Sequence, residues 1–262
     1  MARPAGLFLA ILLALLFLLP SPCLAADKAA EPTADVTLDP DMDEGHRQFA
    51  HANYEKALEH YLKALERNKE DAYLHFRIGL TYYMLDNMEN FKLYWSRAVE
   101  INHSVADELI TAINTDYMMP TLLQGDTTVT DDKYFNYISH KHGDIIDYYI
   151  SDKSTLANRI IGLPGDIIKI EKNILYRNDT PVDEKNVLWN GTIDSINRKQ
   201  ILVPEDCYYV LTDNRSIFLQ DKYFGCVKKS KIIGKVLAII ASEEKKDGKS
   251  RLRIERFGLA IK

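Results

Sequence analysis

Two histidines stand close enough in the sequence to suggest metal chemistry. His140 and His142 flank Lys141 and stand near Asp144. A zinc site needs at least three protein ligands in a defined arrangement, and two histidines without a clear third ligand are more typical of a polar loop. The sequence therefore predicts no metal site and no other cofactor.

Two cysteines could form a disulfide. Cys207 and Cys226 are the only ones left if the N-terminal segment that holds Cys23 is removed. An oxidising compartment would let them pair. The bond would close a loop of about 20 residues, worth roughly 3 kcal/mol on the chain-entropy model. Two separate buried thiols are the alternative, and the sequence favours neither.

Four short stretches in the second half of the chain follow one another in a recognisable order. They are residues 118–126 (MMPTLLQGD), 143–146 (GDII), 159–166 (RIIGLPGD), and 213–215 (DNR) leading to 223–225 (YFG). Together they resemble the boxes of type I signal peptidases, the membrane-bound serine proteases that remove signal peptides. The resemblance covers about residues 113–262. It implies a mainly antiparallel β domain with a Ser–Lys dyad.

The sequence departs from that family at the two catalytic positions. The resemblance places the nucleophilic Ser at Tyr117 and the basic Lys at Asn158, and neither alignment needs a gap. An Asn side chain cannot accept a proton, and a phenol has a pKa of about 10 and would fill a slot shaped for Ser. Losing one member of such a pair costs about 10⁶-fold in kcat. The sequence therefore predicts that no intact dyad is present.

The residues that support the dyad also differ from the family pattern. Thr115 stands where the family often has an oxyanion-hole hydroxyl, whereas the base-orienting Ser is Phe218 and the closing Asp–Arg pair is Gln220 and Lys222. Thr115 as a relocated nucleophile lacks a nearby base in the sequence. Lys153 as a relocated base is better explained as an exposed loop lysine.

These observations predict an extracytoplasmic pseudo-peptidase that binds an extended peptide or a partner protein without hydrolysis. The mechanism would be β-augmentation, in which a peptide adds to a strand edge. The resemblance places this edge near Ile113 to Met118, where Tyr117 would block it in part. Two alternatives remain: an active signal peptidase I-type endopeptidase with an atypical nucleophile, and a repeat-mediated scaffold. The predicted peptide-binding residues are Ile113, Thr115, Met118 and Leu122.

The elements that would position these residues fall into two classes. From about Ile113 onward, alternating apolar runs such as DIIDYYI, DIIKIEKNILY, CYYVL and KVLAIIA are separated by Gly, Asp and Pro turns. This pattern is typical of antiparallel β structure. The fold class predicted is therefore multidomain, with an α-helical repeat module over 43–112 followed by the β domain over 113–262.

The helical module is predicted from an internal period of 34 residues. A shift of 34 residues superposes Gly45 on Gly79, Tyr61 on Trp95 and Ala64 on Ala98. That period and these small and aromatic positions resemble the tetratricopeptide repeat. The stretch NYEKALEHYLKALERN is predicted as the second helix of one unit and AYLHFRIGLTYYMLD as the first helix of the next, with a closing helix over 104–114. A docking surface and a packed helical spacer both remain open as the role of this module.

The N-terminus and the charge balance bear on location and partners. Arg3 is the only charge in the first 26 residues, the chain is apolar from Leu7 to Leu19, and small residues follow. This layout is typical of a secretory signal, although an uncleaved membrane anchor over residues 7–24 is the alternative. Residues 27–42 are predicted as a linker, and the rest as periplasmic or secreted. A net charge of -5 and no long basic run argue against a nucleic-acid partner.

Overall fold

The structure is a computed structural model of the 262-residue chain. It describes residues 39–105, 109–152, 154–172, 174–185, 187–188, 198–216, 225–246 and 249–261. The predicted secretory signal, Lys153, and positions Phe218, Gln220 and Lys222 lie outside the described residues. The chain divides into two compact units, 1–106 and 107–262. Among the described residues, no helix is long and apolar enough to cross a membrane.

The described part of the first unit consists of helices. Their sequence explains where they begin, because a polar side chain caps three of them. Asp39 accepts hydrogen bonds from the backbone of Asp41 and Met42, Asp71 from Leu74, and Asn87 from Asn90. The helices are α1 (Pro40–Ala50), α2 (Tyr54–Arg67), α3 (Ala72–Met84) and α4 (Met88–Ile101). The two helices predicted from the repeat period are therefore confirmed as α2 and α3.

The repeat period is explained by close packing at its small and aromatic positions. A Cβ added at Gly45 would lie 2.5 Å from the ring of Tyr61, and one at Gly79 would lie 3.3 Å from the backbone nitrogen of Trp95. Tyr61 is fully buried and Trp95 nearly so. The glycines therefore allow neighbouring helices to approach closely, as the repeat resemblance implies.

Two predictions at the ends of this module are wrong. Helix α1 begins at Pro40, inside the segment predicted as a linker, because Asp39 caps it and proline suits the first helical turn. The predicted closing helix over 104–114 fails where the structure describes it, since Ile110–Ala112 is a strand. Its register places Ile110 opposite the buried Val129. Pairing with a sheet outweighs the local helical pattern here.

The second unit is built from antiparallel strands, as predicted. A large sheet has the order β1-β2-β11-β3-β4-β9-β10, with β12 paired to β11, and a small sheet has the order β7-β6-β5-β8. A short helix, α5 (Tyr134–Tyr137), follows β2. The strands are β1 (Ile110–Ala112), β2 (Asp126–Asp131), β3 (Ile145–Ser151), β4 (Ser154–Gly162), β5 (Ile167–Glu171), β6 (Ile174–Arg177), β7 (Thr180–Pro181), β8 (Arg198–Leu202), β9 (Cys207–Leu211), β10 (Gly225–Lys228), β11 (Ile232–Lys246) and β12 (Lys249–Leu252).

Alternation along the strands separates the apolar residues into clusters. On β3, Ile145 packs into one cluster while Ile146 and Tyr148 pack into another. Successive side chains of a strand point to opposite faces, so the large sheet is covered by apolar groups on both faces. A third cluster joins the small sheet to β4 and β9. The site described next lies where β4 and β9 meet the turn segment before β2.

Candidate active-site region

All four sequence boxes meet at one buried ion pair. Arg159 on β4 donates from Nε to Oδ1 of Asp213 at 2.8 Å and from Nη2 to Oδ2 at 2.6 Å. Its Nη1 donates to the carbonyl oxygen of Gly143 at 2.7 Å, and the Thr121 hydroxyl donates to the same Asp213 carboxylate. The Asp213 side chain is fully buried and that of Arg159 is 10% exposed. A bidentate pair of this kind fixes both distance and orientation.

Asn214 holds the backbone at the position that the resemblance assigns to the nucleophile. Its backbone N–H donates to the carbonyl oxygen of Tyr117 at 2.9 Å, and its side-chain Nδ2 donates to that of Asp116 at 3.0 Å. The Thr212 hydroxyl in turn donates to the carbonyl of Asn214 at 3.2 Å. The turn that carries Tyr117 is therefore fastened to the fourth box.

The position that the resemblance assigns to the base lies inside the sheet. Asn158 is fully buried on β4, opposite Ile146 of β3, and directly precedes Arg159. Tyr117 is partly exposed in the turn segment. Because Arg159 binds Asp213 while Asn214 binds the backbone of Tyr117, the segment 213–214 links both positions. These bonds involve the side chain of Arg159 and the backbone of Tyr117, so the assignment of positions 117 and 158 to one catalytic region stays a prediction.

Three of the four residues predicted to bind peptide are core residues. Ile113, Met118 and Leu122 pack in one apolar cluster with Ile145 and Val236, and are 7%, 2% and 0% exposed. Their side chains are thus turned into the protein instead of being displayed on a surface. Only Thr115 of the four is partly exposed. Peptide contact at this segment would have to use Thr115 or the backbone.

Among the described strands, the edge of the large sheet lies earlier in the chain than predicted. Ile113 already exchanges backbone hydrogen bonds with the β2 side, donating to Asp126 and accepting from Gly125, both at 2.8 Å. The carbonyls of Asp116 and Tyr117 are occupied as described above. The first strand in the order of the large sheet is β1, which ends at Ala112. The prediction of an edge between Ile113 and Met118 is therefore corrected to β1.

A second buried network anchors the end of the first box. Asp126 is fully buried. Arg256 donates to its carboxylate from Nε at 3.0 Å and from Nη2 at 2.6 Å, and the Ser242 hydroxyl also donates. Arg253 lies 3.4 Å away and donates to the Ser242 hydroxyl at 2.8 Å. Sequence reasoning missed this network, because the partners of Asp126 stand more than a hundred residues further along the chain.

Arg215 forms a further buried ion pair that the sequence did not reveal. Its guanidinium pairs with Glu184, and its backbone N–H donates to the carbonyl of Leu188 at 3.0 Å. Leu188 in turn donates to the carbonyl of Asp213 at 3.0 Å. Burial lowers the pKa of Arg215, and the charge of Glu184 opposes that effect. These bonds connect the fourth box to the segment that contains Glu184 and Leu188.

The two histidines do not form a shared site. His142 is 2.7 Å from the carboxylate of Asp166. His140 instead stacks between the rings of Phe135 and Tyr208, with centroids 3.5 and 4.2 Å away, and burial lowers its pKa to about 4. The residues that the structure describes contain no group of three His, Cys, Asp or Glu side chains placed to hold a metal ion.

The fold and the converging boxes define a signal-peptidase-like β domain in a chain that also carries helical repeats. The family described as signal peptidase, peptidase S26, matches residues 105–241, and the TPR repeat family matches residues 37–86. Because the first match spans more than half of the chain, this protein belongs to the peptidase S26 family of signal peptidases.

Two signal peptidases agree with this assignment. Signal peptidase I of Bacillus caldolyticus is 35% identical over 131 residues, which cover 45% of this chain and 71% of the relative. Signal peptidase IB of Staphylococcus aureus (strain COL) is 26% identical over 139 residues, 47% of this chain and 73% of the relative. A crystal structure of a signal peptidase I from Enterococcus faecalis V583 matches 37% of this chain and 97% of its own, with 29% identity and a TM-score of 0.30.

Proposed function

We propose that this chain is a non-hydrolytic member of the signal peptidase family that binds an extended peptide or a partner protein outside the cytoplasm. The observation that carries the proposal is a contrast within one region. The hydrogen bonds that join the four boxes are present around Arg159 and Asp213. Tyr117 and Asn158, in contrast, stand where the resemblance expects the nucleophilic Ser and the basic Lys.

The chemistry of these two side chains supports the absence of hydrolysis. A lysine base works near neutral pH only where burial lowers its pKa, and position 158 offers such burial. The carboxamide of Asn158 cannot take a proton from a nucleophile. Without a base within hydrogen-bond reach, a hydroxyl attacks a peptide bond poorly. A fold that has this hydrogen-bond network but lacks the Ser and Lys of the dyad is suited to binding a peptide without cleaving it.

The sheet edge at β1 supports binding of an extended segment. Leu109 accepts a hydrogen bond from Thr130, and Ile113 bonds to Asp126, so the backbone groups of these residues point toward β2. By alternation, the N–H and C=O groups of Ile110 and Ala112 point away from β2. A peptide strand that added here would use these outward groups.

The test combines a cleavage assay with a binding assay. The purified chain is incubated with a preprotein, and peptide binding is followed by fluorescence anisotropy of a labelled peptide that ends in Ala-x-Ala. We expect no cleavage by the parent protein, and peptide binding that Ala112→Pro weakens at least tenfold. Ala112→Pro removes one outward N–H without breaking a bond to β2. Cleavage by the parent that is lost in Thr115→Val would establish an active enzyme and overturn the proposal.

A specific observation also favours a second role, in the helical unit. Leu93 on α4 is 63% exposed, which is high for a large apolar side chain in an otherwise packed repeat. In tetratricopeptide-like units the helices pack against one another, and side chains on the outer surface are available to a partner. We propose that this unit contributes a docking surface. A partner that the parent chain captures and the full chain carrying Leu93→Glu does not capture would be assigned to the helical unit. A partner that Leu93→Glu still captures and Ala112→Pro does not would be assigned to the β unit.

A further inference from the structure

Cys207 and Cys226 lie on neighbouring strands at the end of the large sheet. Strands β9 and β10 pair in antiparallel register, with Cys226 opposite Tyr209 and Cys207 opposite Lys228. Residues two positions apart on a strand share a face, so the two cysteines are diagonal neighbours on one side of the sheet.

The two thiols interact with each other. Each thiol contributes to the pKa shift of the other. The Cys207 thiol also donates to Oδ1 of Asp206 at 3.5 Å. For Cys207, burial is the larger cause and raises the pKa to about 11, with the nearby Asp206 carboxylate adding to the rise. For Cys226, burial raises the pKa, and the neighbouring Cys207 thiol opposes that rise. Both thiols therefore ionise less readily than a free cysteine, so the attack by Cys226 is expected at alkaline pH.

Their exposure to solvent also differs. Both are free thiols, but Cys207 is buried and Cys226 is exposed. The alternative of two separate buried thiols is thus wrong for Cys226. A soluble reagent can reach Cys226 directly, whereas the Cys207 residue is only 6% exposed.

We propose that Cys226 and Cys207 form an attacking and resolving thiol pair that closes an intramolecular disulfide when the protein meets a small organic disulfide. This modification site goes beyond the proposed binding function and does not depend on it.

The exchange balances without any other reagent. The thiolate of Cys226 attacks one sulfur of the organic disulfide, which breaks that bond and releases one thiolate. The thiol of Cys207 then loses its proton, attacks Sγ of Cys226 and displaces the second thiolate. Two protein thiols are oxidised, one organic disulfide is reduced to two thiols, and the cysteine protons pass to the released thiolates.

Closure needs a small movement that the edge strand allows. Diagonal neighbours in a sheet have Cα atoms about 7–8 Å apart, slightly more than the usual disulfide span of about 4.4–6.8 Å. In the described part of the chain, β10 pairs only with β9. It also begins at Gly225, whose φ of +118° suits a residue without a side chain. A shift of β10 therefore breaks no bond to a third strand.

The disulfide would act on the site through the chain that it closes. The segment between the two cysteines contains Asp213 and Asn214, which hold Arg159 and the backbone of Tyr117. Cross-linking its ends restricts the unfolded states of this segment. Oxidation is therefore expected to raise the melting temperature of the β unit by several degrees and to slow proteolysis between β9 and β10.

The test uses the full chain carrying Cys23→Ser, so that only the two strand cysteines remain. The protein is incubated with excess oxidised glutathione at mildly alkaline pH, and its intact mass is followed with time. We expect a product two hydrogens lighter than the starting protein, with a transient glutathione adduct, and full reversal by dithiothreitol. Peptide mapping places the bond between the two strands.

Matched single variants separate the two roles. In Cys207→Ser, the adduct on Cys226 should accumulate because nothing resolves it. In Cys226→Ser, the buried thiol should react at least tenfold more slowly than Cys226 does in the parent. A stable single or double adduct on the parent protein, with no product two hydrogens lighter, would refute the proposal. Because that measurement is made on the parent, it holds whether or not the variants fold.

Discussion

The side chains of Arg159 and Asp213 meet in a bidentate ion pair although 54 residues separate them in the chain. Arg159 comes from the third sequence box and Asp213 from the fourth, and the pair also binds Thr121 of the first box and Gly143 of the second. Glycines and aspartates in such boxes can serve the fold as readily as catalysis. Here the pair explains how the four boxes are brought together by the fold, independently of the side chains at Tyr117 and Asn158.

Breaking this pair should strongly lower the free energy of unfolding of the β unit. In Asp213→Asn, the buried guanidinium of Arg159 would lose its counter-charge, and an uncompensated buried charge typically costs about 3–5 kcal/mol. Urea unfolding followed by circular dichroism, with hydrogen exchange to assign the transition, measures the change in the free energy of unfolding.

The matched control is an exposed ion pair of the same unit. Lys169 and Glu171 lie within salt-bridge distance on β5, and their side chains are 43% and 45% exposed. Glu171→Gln should leave the urea midpoint unchanged, because exposed pairs are screened by water. Equal effects of Asp213→Asn and Glu171→Gln would show that burial does not set the strength of the first pair.

Two glycines with similar backbone angles should respond differently to the same substitution. Gly125 has a φ of +88° and Gly143 a φ of +91°. A Cβ at Gly125 would lie 1.8 Å from the carbonyl oxygen of Glu243, whereas one at Gly143 would meet nothing within 4 Å. Gly143→Ala should therefore cost only the left-handed backbone term of about 1–2 kcal/mol.

Gly125→Ala should cost clearly more, since the turn before β2 must also move away from β11. Thermal unfolding of both variants beside the parent protein measures the difference. The structural explanation fails if the two melting temperatures fall by the same amount.

Features set by local sequence could be predicted, and features set by distant partners could not. Helices α2 and α3 follow from a 34-residue period and the spacing of their apolar residues. Strand β1 could not be predicted, because its segment also fits a helix and only the pairing of Ile110 with Val129 selects a strand. The bonds from Arg256 to Asp126 span 130 residues and leave no local pattern.

The same distinction holds at the candidate site, where the sequence gives the residue types but not their surroundings. The sequence assigned the nucleophile and base positions to residues 117 and 158, because the boxes align without gaps, and this assignment stays a prediction. It did not distinguish a core residue from a binding residue at Met118 and Leu122, since an apolar side chain beside a box fits either role. Only the packing of these side chains against Ile145 decides that they belong to the core.

The helical unit offers a test in which steric contact and helix propensity oppose each other. Replacing a glycine within a helix by alanine normally stabilises the helix by about 1 kcal/mol. In Gly45→Ala, however, the new Cβ would lie 2.5 Å from the Tyr61 ring. That ring cannot move freely, because its hydroxyl is hydrogen-bonded to His46 and Arg77. We expect net destabilisation of the helical unit, measured as a lower melting temperature of its helical circular dichroism signal. A rise in melting temperature would show that α1 and α2 can separate without loss.

The stacked histidine should make stability depend on pH. The pKa of His140 is lowered from 6.5 to about 4, first by burial between Phe135 and Tyr208, with Lys229 adding to the effect and Asp144 opposing it. Between these two values the unfolded chain takes up a proton that the folded chain excludes. The contribution is therefore complete above about pH 6.5 and is lost as the pH falls toward 4.

The substitution His140→Phe keeps an aromatic ring in the stack and removes the titrating group. Its urea midpoint should fall less steeply than that of the parent protein between pH 6.5 and 4. The buried Asp147, whose pKa is raised mainly by burial, is present in both proteins and cancels in the comparison. Identical pH profiles would mean that His140 accepts a proton in the folded protein as readily as in the unfolded chain, for instance because the stack opens around it.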